Sequence, residues 1–235
     1  MVGVPIYYPE QPEASIASYN YTDIAEGTGI IKFYGFTTKD NDSVLTYALS
    51  TQAFNSDTGN LTNADGETTG HAESKSEAND GTGTYKAYTA INFNLSPFNT
   101  PRVIRGKGYL NCSVAIKETD ASSAKGYWKF KIQKVSGTEV TDIAEGNSME
   151  VYTVPAEYPN KDIFSCCILL SCTQTHFKIG DILRLSCIPY MKWMAGGYNS
   201  FMHLPHQPLD TATINFNATD FQTKLELYVP FKLIL

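Results

Sequence analysis

Residues 224–235 run Lys224-Leu225-Glu226-Leu227-Tyr228-Val229-Pro230-Phe231-Lys232-Leu233-Ile234-Leu235. Leu225, Leu227, Val229, Phe231, Leu233 and Leu235 are apolar, and Lys224, Glu226, Tyr228, Pro230 and Lys232 stand between them. A period of two belongs to a strand with one face buried and one face wet. The pattern places this end of the chain inside a sheet and predicts that the core forms around it. Pro230 lies in the polar phase and has no N–H to give a ladder, so the strand is expected at an edge or with a bulge.

Working outward, the same period recurs. Ile91, Phe93 and Leu95 alternate with Asn92 and Asn94, and Leu110, Cys112, Val114 and Ile116 alternate with Asn111 and Ser113. Trp128, Phe130 and Ile132 alternate with Lys129, Lys131 and Gln133, and Leu183, Leu185 and Cys187 with Arg184 and Ser186. Residues 30–36 and 44–50 read as an early pair across a Lys39-Asp40-Asn41-Asp42 turn. Residues 163–172 are apolar in both phases, as in a central strand. No segment holds a helical period for three turns. Short strands between Gly, Pro and Asn turns predict an all-β chain, an antiparallel β-sandwich of jelly-roll type.

Two stretches depart from the period. Residues 1–20 carry Pro5, Pro9 and Pro12 and read as an extended N-terminal arm, leaving residues 21–235 as a single domain. Residues 55–83 are rich in Asn, Asp, Gly, Thr and Ser and read as a long polar loop. The hexapeptide at 22–27, Thr-Asp-Ile-Ala-Glu-Gly, recurs at 141–146. Reuse of one turn-into-strand chemistry accounts for this better than duplication.

A net charge of −6 speaks against nucleic-acid and anionic-membrane partners, which need a basic face. No apolar run reaches the length of a membrane span, and Met1-Val2-Gly3-Val4-Pro5 does not open a signal peptide. Cys112, Cys166, Cys167, Cys172 and Cys187 are odd in number and lack C-x-x-C spacing. They read as buried free thiols in a protein made in a reducing cytoplasm, without disulfide or zinc. The sequons at Asn20, Asn60, Asn111 and Asn217 then carry no glycan.

Candidate chemistry is sparse. Asn63-Ala64-Asp65-Gly66 resembles part of a calcium loop, but Leu61 and Ala72 stand where an EF-hand needs oxygen ligands. His71, His176, His203 and His206 read as loop and strand-end residues, since Pro205 excludes a helix that would align the last two. Frames for a serine nucleophile, a zinc protease or a phosphate loop are missing. These readings predict no enzyme, no catalytic residue, no metal and no cofactor. The segment 190–209 instead concentrates aromatic and Met residues in an expected loop. Trp193, Met194, Tyr198, Phe201 and Met202 there, with Pro5, Ile6, Tyr7 and Tyr8 of the arm, are the candidate subunit contacts.

Thr175-His176-Phe177-Lys178-Ile179-Gly180-Asp181-Ile182-Leu183-Arg184-Leu185 resembles the F..GD.LRL passage of C1q/TNF-like jelly rolls. The segments 21–29 and 223–235 resemble those of structural proteins from uncultured tailed viruses of bacteria or archaea. The resemblance implies a virion component, made in the host cytoplasm: a capsid-decoration, minor head or tail-associated protein. Its partners would be itself, as a trimer, and other virion proteins. The second reading is a receptor- or glycan-binding module of a viral fibre, using the aromatic segment outward.

Overall fold

A computed structural model describes residues 16–18, 28–39, 45–53, 71–75, 83–118, 123–152, 161–195, 200–206, 211–212, 221–222 and 225–232. Every regular element among them is a strand. In chain order these are β1 (Ile16–Ser18), β2 (Thr28–Lys39), β3 (Leu45–Ser50), β4 (His71–Lys75), β5 (Lys86–Ala87) and β6 (Ile91–Asn94). Then come β7 (Arg102–Glu118), β8 (Ser123–Ser136), β9 (Glu139–Asn147), β10 (Val151–Tyr152) and β11 (Lys161–Phe177). The last are β12 (Ile182–Ala195), β13 (Ser200–Pro205), β14 (Thr211–Ala212), β15 (Phe221–Gln222) and β16 (Leu225–Lys232). The all-β expectation holds.

All but β14 and β15 belong to one 14-stranded sheet, whose main path is β10-β8-β12-β6-β3-β2-β16-β7-β13-β4. At β3 and β6 the sheet is joined by a single parallel bridge, Ala48 opposite Asn94. That narrow join divides the sheet into two walls, β11-β7-β16-β2-β3 and β9-β8-β12-β6. Phe33, Leu110, Val114, Leu227 and Phe231 of the first wall share one buried core with Phe93, Trp128, Phe130, Ile132 and Leu185 of the second. On the far side β9 and β11 meet, where the Thr173 hydroxyl donates to the Ile143 carbonyl at 3.2 Å. The sheet therefore curls almost into a barrel.

The buried phase of the opening pattern is borne out as far as Phe231; Pro230, read in the polar phase, is buried too, and Leu233 and Leu235 lie outside the described residues. Leu225, Leu227, Val229 and Phe231 are at most 1% exposed. The strand is not an edge, however, because β16 lies between β2 and β7. Pro230 is accommodated by an irregularity: the register to β7 shifts between Tyr228 and Phe231. Facing that shift are two glycines. Gly106 has φ 115°, and a Cβ added at Gly108 would collide with the Tyr228 carbonyl and lie 3.0 Å from Pro230 Cδ. Crowding against backbone cannot be relieved by a rotamer change. Gly108→Val is therefore expected to lower stability by about 1–3 kcal/mol, read as a fall in the urea midpoint. A midpoint unchanged from wild type would refute this account of the bulge.

Four local expectations are corrected. Residues 163–172 are not central: among the described residues β11 pairs only with β7. Its residues alternate after all, Ile168, Leu170 and Cys172 facing the core while Leu169 is 60% exposed. Residues 190–209 are not one loop. Tyr190–Ala195 continues β12 along β8, and β13 pairs with both β7 and β4. The polar stretch 55–83 contains β4, and the arm contains β1, which pairs with β2. Apart from Gly83, the rest of both stretches, residues 63–66 included, lies outside the described residues.

Candidate binding face

β8 and β12 pair antiparallel over their whole length, with Tyr127 opposite Tyr190, Lys125 opposite Lys192 and Lys131 opposite Ser186. Because alternate residues point to opposite faces, burying Trp128, Phe130, Ile132, Leu183, Leu185 and Cys187 sends Lys125, Tyr127, Lys129, Lys131, Arg184, Tyr190 and Lys192 outward. The outer face thus carries aromatic rings among cations on a rigid two-stranded base.

The rings are organised. Tyr127 and Tyr190 stack with centroids 5.0 Å apart and planes 2° from parallel. Tyr85 meets Tyr127 edge-on at 5.1 Å, and Lys192 Nζ lies 4.4 Å from the Tyr85 centroid. The Tyr85 hydroxyl donates to Glu150, which also pairs with Lys125 at 3.4 Å. The hydroxyl and Lys125 outweigh burial and hold the Glu150 carboxyl below its ordinary range. Burial and the neighbouring carboxylate push the Tyr85 hydroxyl up. At neutral pH the cluster is accordingly a carboxylate fixed between a phenol and an ammonium.

Further along, Lys129 pairs with Glu145 at 2.8 Å and Lys131 with Asp142 at 2.5 Å. Gln133 Nε2 donates to Asp142 at 2.7 Å. Hydrogen bonds from Lys131 and Gln133 keep Asp142 low against the opposing effect of burial. Such surface pairs contribute about 0–1 kcal/mol each, so their main effect is to fix side-chain positions. Arg184 Nε donates to Asn94 Oδ1 at 2.8 Å, which brings an amide of β6 onto the same face.

The opposite wall has a smaller counterpart. Tyr109 and Tyr228, direct partners across β7 and β16, stack at 4.2 Å with planes 18° apart. Lys32 pairs with Glu226 at 3.2 Å and sits 4.4 Å from the Tyr34 centroid. Both clusters place Tyr in the polar phase of a strand, a signal present in the alternation of residues 125–133 and 224–232 but easily read as solvent-facing filler.

The sequence-predicted contacts are placed as follows. Pro5, Ile6, Tyr7, Tyr8 and Tyr198 lie outside the described residues. Trp193 and Met194 fall at the end of β12, and Phe201 in β13. Met202 is fully buried in the core, where a Cβ added at Gly126 would strike its sulfur. His203 and His206 are fully buried as well; the loop reading is corrected for His203, which lies in β13, while His206 follows the end of that strand. The cysteines divide: Cys112, Cys172 and Cys187 are buried, Cys166 is half-buried and Cys167 exposed, so the expectation of five buried thiols is corrected. Among the described residues no three His, Cys, Asp or Glu side chains gather as a metal site would require.

No protein-family model and no curated protein matches the chain. Solved structures do. A CocE/NonD family hydrolase from Staphylococcus aureus is 11% identical over 85% of this chain and 41% of its own, with a TM-score of 0.33. An alpha-amino acid ester hydrolase is 9% identical over 86% of this chain and 36% of its own, at 0.43. Eiger TNF from S. frugiperda is 9% identical over 70% of this chain and 93% of its own, at 0.26. The chain thus spans well under half the length of the hydrolases. Their presence overturns the expectation that the chain is not an enzyme, and that expectation is withdrawn. At these TM-scores the likenesses assign no reaction.

Proposed function

We propose that the chain is a jelly-roll-type structural component of a virus particle, a capsid-decoration, minor head or tail-associated protein, acting through contacts made by its outer sheet faces. The observation that carries this reading is the outward cluster of Tyr85, Tyr127 and Tyr190 fixed by Glu150, Lys125 and Lys192. Tyrosines already held in place lose little entropy on contact and combine apolar area with a hydroxyl, which is why they concentrate at the energetic centres of interfaces. The two walls over one core, and a Gly180-Asp181 turn that carries the chain from β11 in one wall to β12 in the other, support the jelly-roll reading. The resemblance of residues 175–185 to C1q/TNF-like proteins supports a trimer, with the arm lacing neighbours together.

A second reading uses the same face for a glycan or cell-surface receptor, favoured by an amide, Asn94, and a carboxylate, Glu150, beside the rings. Light scattering on the wild type and on Tyr127→Ala/Tyr190→Ala separates the two. The assembly reading expects a trimer or larger species whose dissociation constant rises about 30-fold or more in the variant. A wild-type monomer that retains glycan by the same two tyrosines would sink the assembly reading in favour of the second.

A further inference from the structure

We propose that Cys112 and Cys166 are an oxidation site, forming a cross-strand disulfide that ties β11 to β7. The two residues are direct partners in the β7–β11 ladder, and their sulfurs lie 3.3 Å apart. Directly opposed residues of antiparallel strands have Cα atoms about 4.5–5.5 Å apart, within the span a disulfide bridges. Forming the bond requires the sulfurs to close to about 2.05 Å, a movement that small side-chain rotations supply.

The two sulfurs have unequal access, and this orders the chemistry. Cys166 is half-buried, whereas Cys112 is wholly enclosed in the core. A hydrogen bond from the Cys112 thiol, aided by the Met149 backbone and opposed by burial, holds the Cys166 thiol below its ordinary range. The bond with Cys166 and burial push Cys112 up. Cys166 is therefore the attacking thiolate and Cys112 the resolving thiol. With a peroxide as oxidant, the Cys166 thiolate attacks one oxygen and the O–O bond breaks, giving a sulfenic acid and, after protonation, one water. The Cys112 sulfur then displaces the sulfenic hydroxyl, forming the S–S bond, and its proton leaves with that hydroxyl as a second water. Two thiols are oxidised by two electrons and one hydrogen peroxide is reduced.

Cys167 takes no part, because the next residue on a strand points to the opposite face. It is exposed on the outside of β11 and serves as an internal control. The disulfide would fasten the strand that meets β9 at the closing seam, joining residues 54 apart in sequence. A chain folded with reduced thiols would thus gain a lock on leaving a reducing compartment. This inference stands apart from the particle reading.

The test treats the full chain with hydrogen peroxide, blocks free thiols in denaturant, and maps peptides without reduction. The expected result is two fewer blocked thiols than in the untreated chain, a peptide joining Cys112 to Cys166, and a melting temperature raised by about 5–10 °C. Cys166→Ser should show none of the three. Cys112→Ser should instead leave a sulfenic acid at Cys166, captured by dimedone. Should Cys112→Ser not fold, the Cys166→Ser comparison decides alone. Both thiols still free after treatment, or Cys166 joined instead to another cysteine, would overturn the proposal.

Discussion

Asp181→Ala is expected to lower the free energy of unfolding by about 2–4 kcal/mol, measured by urea denaturation at neutral pH. Asp181 is 3% exposed, the one carboxylate among the buried polar residues described. Its carboxylate accepts from the Lys178 N–H at 2.7 Å and pairs with Lys134 at 3.1 Å. The alanine variant leaves Lys134, itself only 19% exposed, without its counter-ion. It also leaves the Lys178 N–H without an acceptor. Breaking a buried pair costs about 3–5 kcal/mol, and the expected loss is about 1 kcal/mol smaller because the pair sits at a turn and Lys134 keeps the His176 carbonyl at 2.8 Å.

Two further variants distinguish charge from shape at this site. Asp181→Asn keeps an acceptor for the turn and should cost less than alanine. Burial opposes ionisation of Asp181, but the Lys178 N–H, the Ser136 hydroxyl and Lys134 outweigh it and hold the carboxyl below its ordinary value. The contribution is therefore fully present above pH about 4 and is lost as pH falls through the lower folded value. Asp181→Asn should accordingly lose less stability than wild type in that acid range. Equal acid slopes for the two proteins would show that Asp181 is not ionised in the way the geometry requires.

That turn also shows what a sequence can and cannot disclose. Gly180-Asp181 was legible only as a resemblance, without a physical reason for either residue. The structure supplies both. Gly180 has φ 87°, a left-handed conformation that disfavours any side chain. Its N–H donates to the Phe98 carbonyl at 2.8 Å while the Phe98 N–H returns to the Asp181 carbonyl at 2.9 Å. Residue 98 is remote in sequence, so no local pattern could announce the contact.

The same contrast runs through the whole chain. Burial faces were legible wherever period two was clean, as at Trp128, Phe130 and Ile132 or Leu225, Leu227 and Val229, because alternation is local. Strand order was not. Pro230 called for an edge or a bulge, and only the bulge is found: β16 is flanked on both sides, and Gly106 and Gly108, some 120 residues away, make room for the ring. Residues 163–172 misled for a related reason. Cys167 and Leu169 are apolar but outward, and only the absence of a second partner strand among the described residues reveals it. The candidate face was missed because its tyrosines come from three separate segments that only pairing brings together.

His206 carries the second large expectation, a loss of stability in mild acid. His206 is completely buried, with its ring 5.1 Å from Phe93 and 6.0 Å from Tyr47, centroid to centroid. Its Nδ1 is 2.7 Å from the Leu204 carbonyl and donates to it. That hydrogen bond favours the charged form, but burial among aromatic rings dominates and brings the pKa down to about 4. The unfolded chain binds the proton near pH 6.5, before the folded one does. Stability from this residue is thus complete above pH about 6.5 and is withdrawn as pH falls toward 4. A difference of about 2.5 pH units corresponds to roughly 3 kcal/mol. Urea midpoints taken from pH 8 to pH 4 should fall steeply for wild type and much less for His206→Phe, which keeps a ring in the same aromatic pocket. Carboxylates that titrate in the same interval affect both proteins alike, so the difference between the two curves isolates His206. Parallel curves would mean that the ring is hydrated or already charged in the folded state, and that the pocket between Tyr47 and Phe93 is open to water.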